Sequence, residues 1–141
     1  MRRMPALTKP DFEALAEFRY QLRRFLRFAD DSAKAQGVTP LQYLLLLHVR
    51  GYPGRPWASV GELAERLQTA HHGVVALVSR CERIGLVRRG RDPSDRRKVF
   101  VYLTRKGSQV VARIATLNQK ELSSLSSVFR VERISAFNER K

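Results

Sequence analysis

Between Ser59 and Leu103 the apolar residues switch from a helical period to an alternating one, and that switch limits what the chain can fold into. Ser59-Val60-Gly61-Glu62 has the form of a capping box, in which a serine and a glutamate satisfy free N–H groups at a helix start. Leu63, Ala64 and Leu67 follow as the inward stripe of a short helix. After the tight connection Thr69-Ala70, a second helix is expected from near Ala70 to Ile84. Val74, Leu77, Val78 and Cys81 form its buried face, and Gly85 stops it. Leu86-Val87-Arg88-Arg89 and Val99-Phe100-Val101-Tyr102-Leu103 then read as two strands. The loop between them, Gly90-Arg91-Asp92-Pro93-Ser94-Asp95, is dense in turn formers. Two short helices followed by a hairpin make a helix-turn-helix with a wing.

The flanking segments are helical. Thr8-Lys9-Pro10-Asp11 is a helix start with proline in the first turn. Phe12, Leu15, Phe18, Leu22, Phe25 or Leu26, Ala29 and Ala33 continue one apolar stripe as far as Gly37. A small winged lobe cannot cover so long a stripe, and a partner subunit is its natural cover. Thr39-Pro40-Leu41-Gln42 opens a helix over about 40–50 with Tyr43, Leu44 and Leu47 on one side, and Gly51-Tyr52-Pro53-Gly54-Arg55-Pro56 is a loop. Thr104-Arg105-Lys106-Gly107 opens another helix with Val110 or Val111, Ile114 and Leu117 inward. The tail from 120 to 141 places Leu122, Leu125, Val128 or Phe129, Ile134 and Phe137 at helical spacing, interrupted by Ser123-Ser124 and Ser126-Ser127. The expected fold is mostly α with a small antiparallel β-wing. It forms one domain over 1–141, with helical segments at about 8–36 and 108–141 around a DNA-binding lobe at about 39–107.

Charge points to the partner. The 27 Lys and Arg outnumber the 13 Asp and Glu, for a formal net charge of +14. A surplus of this size favours a polyanion, because affinity for DNA arises mainly from neutralised phosphates and released counterions. From Arg80 to Lys106 there are ten basic residues against three acidic ones, so this stretch carries half of the excess.

A helix-turn-helix presents the outward face of its second helix to the major groove. Here that face offers His71, His72, Gly73, Val75, Ala76, Ser79 and Arg80. Imidazoles can reach phosphates or base edges, Val75 and Ala76 can meet thymine methyls, and Arg80 can pair with phosphate or guanine. The face lacks the Arg, Asn and Gln of strong base readers, so shape and backbone contacts are expected to carry much of the recognition. The wing adds Arg88, Arg89, Arg91, Asp95, Arg96, Arg97 and Lys98, a basic hairpin suited to the electronegative minor groove.

Four runs carry a resemblance: Gly61-Glu62-Leu63-Ala64-Glu65-Arg66-Leu67, Glu82-Arg83-Ile84-Gly85-Leu86-Val87-Arg88-Arg89, Asp92-Pro93-Ser94-Asp95-Arg96-Arg97 and Val101-Tyr102-Leu103-Thr104-Arg105-Lys106-Gly107. Over roughly Thr39 to Ile114 the chain resembles the MarR family of winged-helix transcription regulators. The resemblance implies a homodimer built from the terminal helices, bound to a pseudo-palindromic operator on double-stranded DNA. It also implies repression relieved by a small ligand or an oxidant. Asp95 and Arg97 match the family's Asp-x-Arg wing motif, which implies that Arg97 enters the minor groove and that Asp95 holds an arginine in place. Gly73, Val75 and Ala76 depart from the family's usual recognition residues, and the redox-sensing branch's N-terminal cysteine is absent.

Other classes are disfavoured. The lone Cys81 excludes an internal disulfide and reads as a core residue. His71 and His72 are adjacent on a helix, point apart and complete no metal site, while His48 is an isolated helix residue. Tyr20, Phe25, Phe28, Tyr43 and Trp57 read first as core, with an effector pocket near the dimer interface as the alternative. No acid/base pair, activated nucleophile or phosphate loop is present, so neither an enzyme nor a cofactor is expected. No apolar run approaches the roughly 20 residues of a membrane span. Met1-Arg2-Arg3-Met4-Pro5 has no apolar stretch behind it, and a cytoplasmic protein is expected. A structural nucleic-acid-binding protein without sequence choice remains the alternative function.

Overall fold

A computed structural model describes residues 6–125. The elements run α1 (Lys9–Ala35), α2 (Pro40–Arg50), β1 (Trp57–Ser59), α3 (Val60–Leu67), α4 (His71–Arg83), β2 (Val87–Arg91), β3 (Val99–Leu103) and α5 (Arg105–Ser124). The expected α-rich winged architecture is present. The tail positions Val128, Phe129, Ile134 and Phe137, the pair Ser126-Ser127 and Met1 to Pro5 lie outside the described residues.

Local chemistry sets the helix ends. The Asp11 carboxylate accepts from the Thr8 N–H and hydroxyl at 2.9 and 3.0 Å. At α2 and α3, Thr39 with Gln42 and Ser59 with Glu62 exchange side-chain and backbone bonds of 2.9–3.1 Å, as capping boxes do. Gly37 and Gly85 have φ of +82° and +80°, the left-handed conformation that terminates α1 and α4.

The sheet order is β1-β3-β2, antiparallel throughout. Its third strand, Trp57–Ser59, falls between the expected loop and the expected capping box. Three residues are too few to show a period, and Ser59 both ends the strand and caps α3. Gly90 and Arg91, expected in the wing loop, continue β2 opposite Phe100 and Val99. The loop itself is therefore 92–98.

One core joins all the elements. It is built on Leu45, Leu46 and Val49 of α2, Leu63 of α3, Val74, Val78 and Cys81 of α4, Val101 of β3 and Ile114 of α5. The expected face of α2 needs correction: Tyr43 is buried, Leu47 is half-buried and Leu44 is exposed, while Leu45, Leu46 and Val49 make the core contacts. Leu117 on α5 is likewise exposed, and Asn118 takes the buried position beside it. Cys81 lies in the core, where burial pushes its thiol up to about 11, so it is a packing residue rather than a nucleophile.

Candidate nucleic-acid interface

The helix-turn-helix is made by α3 and α4. Its connection turns on Gln68, a non-glycine residue at φ 51°, rather than on Thr69-Ala70 alone. The Gln68 side-chain amide donates to the Glu65 carbonyl at 2.8 Å, which helps hold the left-handed turn. Gly73 is half-buried at the same junction. A Cβ there would lie 3.1 Å from the Thr69 side-chain methyl, so the glycine allows the turn to approach the first turn of α4. Ala70 supplies no side-chain cap, which leaves the leading N–H groups of α4 available to an incoming oxygen acceptor.

His71, His72, Val75, Ala76 and Arg80 are exposed along α4. A cleft of about 740 Å³ separates this helix from the wing, and His71, Val75, Arg89, Arg97 and Lys98 all line it. The wing loop is ordered by its own bonds. The Asp92 carboxylate accepts from the Ser94 N–H and hydroxyl at 2.9 and 2.7 Å, which holds its pKa below the usual carboxylate value. Arg91 donates to the Arg96 carbonyl at 2.8 Å. Asp95 accepts from both the backbone N–H and the guanidinium of Arg97, at 3.1 and 3.2 Å. The Arg97 side chain is nonetheless 92% exposed, so Asp95 aims it without covering it. Arg96 and Lys98 are also exposed.

Three further expected contact residues are engaged within the protein. Arg88 stacks over the Tyr102 ring at 4.4 Å, on the outer face of the sheet. Arg89 lies on the opposite face and binds α4, where Ser79 is one of its acceptors.

The cluster that closes the other end of the cleft is not marked in the sequence. Arg55 sits against both Tyr52 and Trp57, 4.4 and 4.0 Å from the ring centroids, and forms an ion pair with Glu62. Trp57 in turn packs on Phe100, 4.3 Å between centroids. Trp57 is therefore a sheet-edge residue distant from Phe25 and Tyr43, which line a separate cavity. The five aromatic residues do not share one pocket. Burial by itself would raise the Glu62 pKa. Hydrogen bonds from Tyr52 and Ser59, together with Arg55, outweigh it and bring the carboxyl from 4.5 to about 2.

A depressed carboxylate stabilises the fold above its unfolded pKa and loses that contribution as pH falls toward its folded one. Stability is therefore expected to decline between pH 4.5 and about 2, with a shallower decline in Glu62→Gln. Urea midpoints measured across pH 5 to 2 check this, and parallel curves for the two proteins would refute it.

Two short helices around a tight turn, a three-stranded sheet and an ordered basic hairpin define the winged helix-turn-helix class. A family model described as the MarR family matches residues 36–98. The transcriptional regulator HosA of Escherichia coli O111:H- is 31% identical over 97 residues, which cover 66% of this chain and 68% of that protein. The chain belongs to the MarR family. It is also 33% identical over 96 residues to a protein of Thauera aromatica described as a putative transcriptional regulatory protein for the hcr operon. That match covers 68% of this chain and only 56% of the relative's length. A MarR family regulator from Streptomyces coelicolor, solved in complex with DNA, shares the fold with a TM-score of 0.72 at 23% identity. The alignment covers 96% of this chain and 86% of that one.

Proposed function

We propose that the protein is a DNA-binding transcription regulator that acts in the cytoplasm as a homodimeric repressor. Its recognition helix α4 would lie in the major groove and the wing in the adjoining minor groove. The observation that carries this reading is the cleft between them, which brings the exposed His71 and Val75 opposite Arg97 and Lys98. The family membership and the DNA complex of the Streptomyces coelicolor relative support it. Phe12, Leu15 and Leu26 of α1 and Leu117 and Leu122 of α5 are 38–57% exposed, an apolar surface suited to a second copy of the chain. Two-fold symmetry would place the recognition helices about 34–36 Å apart on an inverted repeat.

Selection from a random duplex library is expected to recover that inverted repeat. Competition should then show at least about 10³-fold preference for it over random DNA. His72→Ala and Val75→Ala should change which bases are preferred. A ratio near one would support a structural nucleic-acid protein and reject the regulator.

Release of the operator is assigned to a cavity of about 410 Å³ among Phe25, Leu26, Tyr43, Leu44, Asn118 and Leu122, between α1, α2 and α5. Asn118 is 7% exposed; its amide nitrogen donates to the Tyr43 hydroxyl at 3.2 Å, and its Oδ1 has no partner among the described residues. Among the described residues no cation lines the cavity, and Asp30 does. An organic anion would therefore be left without a counter-charge, whereas an uncharged apolar molecule bearing a hydroxyl satisfies the amide. Neutral aromatic alcohols should release the operator and arenecarboxylates should not, with Asn118→Leu abolishing the response. Release by carboxylates alone, in a fluorescence-anisotropy titration, would reject this ligand class.

A further inference from the structure

Arg89, an expected DNA contact, is already bonded within the protein. We infer that Arg89 is a positioning residue, a clamp that fixes the wing against the recognition helix, and not a phosphate contact. The inference rests on the proposed use of α4 and the wing in DNA binding.

Strand parity turns Arg89 inward. On β2 it follows buried Val87 by two residues and lies opposite buried Val101 of β3, so it points to the helix side of the sheet. There its guanidinium donates to the Glu82 carboxylate at 2.9 Å, the Ser79 hydroxyl at 2.7 Å and the Val75 carbonyl at 3.2 Å. Its backbone N–H donates to the other Glu82 oxygen at 3.0 Å. Val75, Ser79 and Glu82 are spaced four and three residues apart, so one side chain spans two turns of a single α4 face. Glu82 is held by both the side chain and the main chain of the same residue. The clamp therefore sets strand and helix in one orientation rather than merely joining them.

The consequence is energetic. A winged helix engages two grooves, and the second contact strengthens binding only if the wing is held where its groove will be. The arginine fork matches this set of acceptors, and a lysine ammonium does not. The clamp and a phosphate contact predict opposite results. If Arg89 touched phosphate, lysine would substitute for it, and removing the nearby Glu82 charge would tighten binding. If Arg89 is a clamp, both changes weaken binding.

The test uses the chain of 141 residues with two duplexes of equal length. One carries the inverted repeat recovered by selection, and the other has a random sequence. Arg89→Lys and Glu82→Gln are each expected to lower affinity for the inverted repeat by about tenfold or more. Their affinity for random DNA should stay within about twofold of the parent's, and the salt slope for Arg89→Lys should be unchanged. Measurements are made well below each variant's thermal midpoint, so that a loss of folding does not enter. If either variant is unfolded, Ser79→Ala removes one acceptor only and should still lower specific affinity two- to threefold, roughly one weakened hydrogen bond. The clamp is overturned if Arg89→Lys retains full affinity, if Glu82→Gln binds more tightly, or if Ser79→Ala has no effect in that case. Arg97→Ala in the same titration separates the two readings. If it weakens binding while the clamp variants do not, only the clamp falls; if all leave affinity unchanged, the winged interface falls with it.

Discussion

Gly107→Ala is expected to destabilise the fold by about 3 kcal/mol or more, a large share of the roughly 5–15 kcal/mol that holds an ordinary domain together. A Cβ at this position would overlap the Leu86 carbonyl oxygen, well inside the sum of their van der Waals radii. Neither side can yield easily. The Leu86 carbonyl accepts from the Thr104 N–H at 3.0 Å. Thr104 caps α5 by accepting from the Gly107 N–H at 3.0 Å, and its hydroxyl donates to the Gly85 carbonyl at 2.6 Å. The end of α4, the start of β2 and the start of α5 thus meet at one backbone junction, which the missing side chain permits. Gly61→Ala is the matched control. The nearest atom to its added Cβ is 4.0 Å away, on an exposed helix position, so this change should be neutral or stabilise by up to about 1 kcal/mol. Urea unfolding of both variants decides the matter. A Gly107→Ala midpoint equal to the parent's would show that the junction opens without cost.

The helices were legible because their ends are chemically marked. Thr8, Thr39 and Ser59 begin helices with a partner three residues on, and Gly37 and Gly85 end them. The features that escaped reading have physical reasons. The run Leu44-Leu45-Leu46-Leu47 fills every helical phase, so period alone cannot choose its buried face. Gln68 adopts a left-handed conformation with no glycine to announce it, helped by the bond from its own side-chain amide to the Glu65 carbonyl. The cluster of Tyr52, Arg55, Trp57 and Glu62 joins a loop, a strand end and a helix start. Only the fold makes them neighbours.

Within the site, charge was easier to read than direction. The basic hairpin was evident from composition, yet counting treats Arg88, Arg89 and Arg97 alike. Their surroundings differ: Arg88 covers a tyrosine ring, Arg89 binds the recognition helix, and Arg97 projects into solvent. Alternation held a usable signal, since Arg89 shares parity with the buried Val87 and Arg88 does not. Gly90 belongs to the same pattern. A Cβ there would come within 2.9 Å of the Tyr102 ring, so the glycine makes room for the tyrosine beside Arg88.

That distinction governs the largest binding effect. Arg96, Arg97 and Lys98 are exposed at the end of a loop whose shape is set by Asp92, Arg91 and Asp95. Replacing all three with alanine should leave stability nearly unchanged, because surface substitutions away from packed features usually move it by less than about 0.5 kcal/mol. Affinity should respond very differently. If each residue meets one phosphate in each protomer of a dimer, about six contacts are lost, and the slope of log K against log salt should become shallower by about 5. At physiological salt that corresponds to a loss of roughly 10³-fold or more, shared by operator and random DNA because phosphates carry no sequence. A specific defect would look different: the operator would weaken while random DNA did not, as expected for the Arg89 clamp. Salt titration of the triple variant on both duplexes therefore separates charge from orientation. An unchanged slope would mean that the wing lies off the DNA and that the excess of +14 is used elsewhere on the molecule.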